Sequence, residues 1–79
     1  MNPERLVQMA NQISLFFESQ PLREEAVAAV ADHLKRFWDP RMRNAIIAHV
    51  AQGGARLREL AAEGVRRLSS HAQAPRIGG

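Results

Sequence analysis

An all-α fold is predicted by three observations. Apolar residues recur at i, i+3, i+4 and i+7 along most of the chain, proline and glycine punctuate four such segments, and no strand pattern interrupts them. The expected architecture is a small helical bundle: an αα-hairpin of two longer helices with two shorter helices packed across it.

The first helix is expected from Pro3 to Glu18, with Pro3 in its first turn and an apolar stripe of Leu6, Met9, Ala10, Ile13, Phe16 and Phe17. Val7 and Leu15 fall off that stripe. Ser19-Gln20-Pro21 breaks the helix, and the second runs from about Pro21 to Phe37. Its stripe is Val27, Val30, Ala31, Leu34, Phe37 and Trp38; Glu24 and Glu25 in its first turn and Lys35 and Arg36 in its last suit the helix dipole. Pro40 pushes Asp39 out of the α region, so Asp39 should cap a third helix whose first residue is Pro40. That helix should end before Gly53-Gly54, where a glycine can take the left-handed conformation of a C-cap. A fourth helix is expected over about Ala55 to Leu68, with Leu57, Leu60, Ala61, Val65 and Leu68 inward. Residues 1–68 then form one helical domain, and 69–79, polar with Ala, Pro and Gly, read as a disordered tail.

The third segment is unusual. Met42, Ala45, Ile46, His49 and Val50 make an ordinary stripe, yet Ile47 and Ala48 carry apolar surface around the side. A helix apolar on most of its circumference is usually covered on more than one side, and so small a bundle covers only one well. The expectation is a subunit that completes its core against a partner; scattered surface apolars are the plainer alternative.

Composition narrows the function. A chain of 79 residues forms at most one small domain, whose core supplies only about 3–5 kcal/mol. It has no cysteine, which excludes disulfides and thiolate ligation of zinc or iron–sulfur clusters. That absence, and the lack of any long apolar run or signal-peptide core, are read as a soluble cytoplasmic protein. The net charge of +3 argues only weakly for a polyanionic partner, but ten arginines against one lysine favour bidentate pairing at interfaces. No catalytic set can be assembled: His33 and His49 have no carboxylate at ligand spacing, and His71 lies in the tail. No catalytic, cofactor-binding or metal-binding residue is therefore assigned. Asp32 with Arg36, and Glu63 with Arg67, read as i,i+4 surface pairs, and Met9 and Met42 as gap-filling core.

The candidate site is the corner between the second and third helices, Arg36, Phe37, Trp38, Asp39, Pro40, Arg41, Met42 and Arg43, with Ile47 beyond it. Arg41 and Arg43 in a helix's first turn oppose its dipole by roughly 0.3–1 kcal/mol each when exposed. They would serve either as a clamp for a partner's carboxylates or carbonyls, or as internal partners of Glu18, Glu24 or Glu25. Phe37 and Trp38 are either the last core residues of their stripe or interface anchors. The same corner could be a helix-turn-helix presenting Arg41, Arg43, Asn44 and His49 to a major groove. Ile47 and Ala48 interrupt that face and disfavour the reading. A stand-alone homo-oligomeric bundle is the third alternative.

The run Met9-Ala10-Asn11-Gln12-Ile13 leading to Phe16-Phe17-Glu18, followed by Phe37-Trp38-Asp39-Pro40-Arg41-Met42, resembles the delta subunit of NAD-dependent, molybdenum-containing formate dehydrogenase over roughly residues 6–68. The resemblance implies a cytoplasmic, non-catalytic accessory subunit that binds no cofactor itself. Its partners would be formate dehydrogenase subunits, the catalytic alpha subunit first among them. That enzyme would oxidise formate at a bis-molybdopterin guanine dinucleotide centre and pass electrons through iron–sulfur clusters and FMN to NAD. The delta subunit would support complex assembly or stability, or insertion of the molybdenum cofactor.

Overall fold

The computed structural model describes residues 2–72, which form four helices and no strand: α1 (Pro3–Phe17), α2 (Arg23–Phe37), α3 (Pro40–Ala51) and α4 (Glu59–Ala72). The all-α bundle is as expected, with boundaries that differ where capping chemistry differs. At α1, the Asn2 side chain accepts the Glu4 N–H at 2.9 Å and Pro3 occupies the first turn. At α2 the start moves from Pro21 to Arg23. Leu22 is extended and offers no side-chain cap, and Gln20 is not a strong capping residue, so nothing ties the first turn to Pro21.

α3 follows the expected local rules closely. Asp39 is extended, its Oδ1 accepts the Met42 N–H at 2.9 Å, and Pro40 stands at the first helical position. Its end is a Schellman arrangement: the Gly54 N–H bonds the His49 carbonyl at 2.9 Å and the Gly53 N–H bonds that of Val50 at 3.0 Å. Both glycines have positive φ, and so does Arg56 at 66°. That left-handed residue keeps the chain out of helix until Glu59, which corrects the expected start at Ala55. α4 continues past Leu68 to Ala72; the rest of the expected tail, 73–79, lies outside the described residues.

The core joins Leu6, Val7 and Ala10 of α1, Ala26, Val30, Ala31 and Leu34 of α2, Trp38, Ile46 of α3, and Leu60, Ala61, Val65 and Leu68 of α4. Within the bundle, α2 lies most intimately against α4, while α1 packs more loosely across α2, α3 and α4. Small residues make this close approach possible. A Cβ added at Gly64 would lie 2.7 Å from Val30 Cβ, inside van der Waals contact, and closer still to Val30 Cγ1. Arg23 reaches Glu63 at 2.8 Å on the same seam, so Glu63 pairs across helices and not with Arg67 as its spacing had implied.

Gly64→Ala is therefore expected to destabilise the chain by about 1–3 kcal/mol in urea denaturation, although alanine is the better helix former. Combined with Val30→Ala, its cost should be less than additive. A stabilised Gly64→Ala chain would contradict the close α2–α4 seam.

Candidate functional site

The corner between α2 and α3 divides into buried and exposed parts. Trp38 is buried, so the indole belongs to the core. Arg43 is half-buried, and its Nη1 donates to the Lys35 carbonyl at 3.1 Å and to the Trp38 carbonyl. These are carbonyls at the C-terminal end of α2, which the chain leaves too abruptly for a glycine cap. The guanidinium supplies the missing donors and the positive charge that end favours. Arg43 thus takes neither expected role; it closes the preceding helix. Asp39 caps α3, and Pro40 opens it. Met42 and Ile47 are half-buried against the core, and Ile47 borders a shallow hollow beside Val65. Arg36 is exposed and pairs with Asp32 at 3.1 Å. Of the nine corner residues, Phe37 and Arg41 remain as exposed groups without an engaged polar partner among the described residues.

Phe37 belongs to a larger feature that the apolar stripes did not reveal. The rings of Phe16 and Phe17 meet edge to face at 4.9 Å between centroids, Phe17 lies 6.4 Å from His33, and His33 lies 4.8 Å from Phe37. This row runs from α1 to α2 beside an open groove of about 470 Å³ lined by Met9, Ile13, Phe16, Phe17, His33 and Trp38. Phe16 is 76% exposed and Phe37 70%. Phe16 therefore leaves the core stripe expected of it, and Val7, expected outside, is buried. Covering the two exposed rings is worth about 2–4 kcal/mol, comparable to the stability of so small a core.

α1 is rolled by polar contacts on its other side. Asn11 Oδ1 accepts the Arg58 N–H at 2.8 Å while Asn11 Nδ2 donates to the Arg56 carbonyl at 3.0 Å. Arg58 then forks onto the Glu18 carboxylate with contacts of 2.6 and 2.9 Å. The buried Ser14 hydroxyl donates to the same carboxylate at 2.9 Å. The hydrogen bonds from Arg58 and then Ser14 hold the Glu18 carboxyl below its ordinary pKa. Asn11, Ser14 and Glu18 share a face with Val7, so the clamp turns that face inward.

A second hollow of about 500 Å³ lies between the first turns of α1 and the α3–α4 loop, among Val7, Gln8, Asn11, His49 and Arg56. Two of its polar side chains are engaged: Asn11 holds the loop, and His49 Nε2 donates to the Ala55 carbonyl at 2.9 Å. With Arg43 and His49 so committed, the helix-turn-helix reading is left with Arg41 and Asn44, too few for a base-reading face. Among the described residues no three His, Asp or Glu side chains converge as a metal site, and no helix is long and apolar enough to cross a membrane.

Sequence reasoning missed Phe16, Phe17 and His33 as a surface feature. A signal was available: adjacent aromatics on a helix point about 100° apart, so Phe16 and Phe17 cannot both face one core.

In comparison with known families, the model of the family described as NADH-dependent formate dehydrogenase delta subunit FdsD matches residues 5–65. No curated protein and no solved structure is significantly similar to the chain.

If Arg43 closes α2, Arg43→Met should lower stability by about 1–2 kcal/mol, the value of hydrogen bonds from a charged, partly exposed donor. Arg41→Ala should leave it within about 0.5 kcal/mol of wild type. Equal effects of the two changes in thermal and urea denaturation would contradict the assignment.

Proposed function

This chain belongs to the delta-subunit family of NADH-dependent formate dehydrogenase, and we propose that it acts as a non-catalytic subunit of that complex in the cytoplasm. Its role is to hold the catalytic alpha subunit in a state competent to receive and keep the molybdenum cofactor. The observation that carries this reading is the aromatic row Phe16–Phe17–His33–Phe37, whose end rings Phe16 and Phe37 are exposed on a chain of only 79 residues. An apolar surface of that worth relative to the core is a surface built to be covered.

The cofactors of the enzyme are placed in the partner subunits under this reading. The chain has no cysteine to ligate an iron–sulfur cluster, and its described side chains bring no metal-binding trio together. What it supplies is surface, held rigid by the clamp on α1 and the closed corner after α2.

The test is to isolate the dehydrogenase from cells that make this chain and from cells that lack it, then compare formate-dependent NAD reduction and molybdenum content. The expected result is a several-fold loss of activity without the chain, accompanied by loss of molybdenum. Retained metal with dissociating subunits would assign the role to structural support instead. Unchanged activity, metal content and subunit composition would contradict the proposal.

A further inference from the structure

We infer that α1 is a two-position helix: the clamp of Asn11, Glu18 and Arg58 latches it in the observed roll, and without the latch it turns about its own axis by roughly a fifth of a turn. The turn closes the groove beside α1 with the helix's own apolar side chains. Nothing in that device needs a partner, so it stands apart from the accessory role proposed above. Two faces of α1 compete for the interior. The observed inward face is Leu6, Val7, Ala10 and Ser14, of which Ser14 contributes a fully buried hydroxyl. The more apolar face is Leu6, Met9, Ala10, Ile13, Phe16 and Phe17, so Leu6 and Ala10 serve both. Turning toward it carries Met9 and Ile13 from the groove wall to the core, and Phe16 from the rim into the groove beside His33 and Trp38. Val7 and Ser14 leave for water in the same movement. A phenylalanine, a methionine and an isoleucine gain cover while one valine loses it, so apolar burial favours the turn. The open groove of about 470 Å³ provides the space.

What opposes the turn is polar and local. Asn11 makes two hydrogen bonds to the α3–α4 loop, and Glu18 takes the Arg58 guanidinium together with the Ser14 hydroxyl. All of these bonds break when that face of α1 moves outward. The loop they hold is itself strained: Arg56, whose carbonyl accepts from Asn11, sits at a φ of 66°. Side chains other than glycine rarely adopt that conformation, and it persists where the surroundings impose it. Elsewhere α1 is lightly held, since α2 lies most intimately against α4. Burial therefore pulls the helix one way and the clamp the other. The Glu18–Arg58 pair lies near the surface, within reach of a competing charge. The position of α1 decides whether Phe16 is offered to its surroundings or covered by its own chain.

The chain has no cysteine, so single thiols introduced into the full chain report the turn directly. Val7→Cys places one on the face that leaves the interior, and Val65→Cys places a control in the core of α4; both valines are buried. Labelling by a soluble thiol reagent should be slow at each in the latched chain. Adding Asn11→Ala and Glu18→Ala removes the latch. Labelling of Val7→Cys should then accelerate about 10-fold or more and that of Val65→Cys by less than about 2-fold, with helix content retained in circular dichroism. Phe16→Ser in the unlatched Val7→Cys chain removes the ring that gains most by turning, and should return labelling most of the way to the latched rate. Labelling of Val7→Cys that stays slow without the latch would overturn the second position. Equal acceleration at the two thiols, or loss of helix, would overturn it as well, by showing that the clamp holds the whole fold together. Acceleration indifferent to Phe16→Ser would overturn apolar closure of the groove as the cause of the turn.

Discussion

Asn11 reads the backbone of a loop more than forty residues away, and that contact decides which way α1 faces. Its carboxamide accepts from Arg58 N–H and donates to the Arg56 carbonyl, each bond worth about 1 kcal/mol. Glu18, two turns further along, takes the Arg58 guanidinium in a two-point contact and receives the Ser14 hydroxyl. Loop and helix are thus stitched along α1 from Asn11 to Glu18. The loop itself is set by Gly53, Gly54 and the left-handed Arg56, so the clamp also establishes where α4 begins. Because α4 carries Leu60, Ala61, Val65 and Leu68 into the core, one polar network couples the roll of the first helix to the register of the last.

The roll has a cost and a consequence. It removes Phe16 from the interior and installs Val7, rotating α1 by roughly a fifth of a turn from its most apolar orientation. The consequence is an aromatic row beside an open groove. The corner at Asp39 complements this arrangement. Asp39 and Pro40 begin α3 so tightly that α2 has no room for a glycine cap, and Arg43 donates to its terminal carbonyls instead. Trp38 is thereby pinned in the core, while Phe37 beside it stays outside.

Much of this was legible in the sequence. Asp39-Pro40 and Gly53-Gly54 announced both ends of α3, because capping chemistry is local and depends on residues adjacent in the chain. The four-helix order and the greater part of the core followed from helical periodicity. What periodicity could not reveal was nonlocal. Val7 against Phe16 was decided by Asn11 bonding a loop that the sequence had assigned to helix. Glu63 found Arg23 across the α2–α4 seam instead of Arg67 on its own helix, since Gly64 lets the two helices meet there. Arg43 looked available for a partner because its acceptors are backbone carbonyls, which no residue pattern marks. The corner was a sound place to look for an interface, yet the exposed aromatic surface extends from Phe37 toward α1, away from Ile47.

The most direct test of this account is the solvent access of the three phenylalanines, which are the only ones in the chain. Fluorine labelling of phenylalanine should give three resonances, observed by NMR while a soluble paramagnetic agent is added to the isolated chain. Two resonances, those of Phe16 and Phe37, should broaden strongly, and that of Phe17 should be partly shielded; Asn11→Ala should shift Phe16 toward the shielded state. A Phe16 resonance already as protected as Phe17 in the wild-type chain would contradict the polar clamp as the element that orients α1.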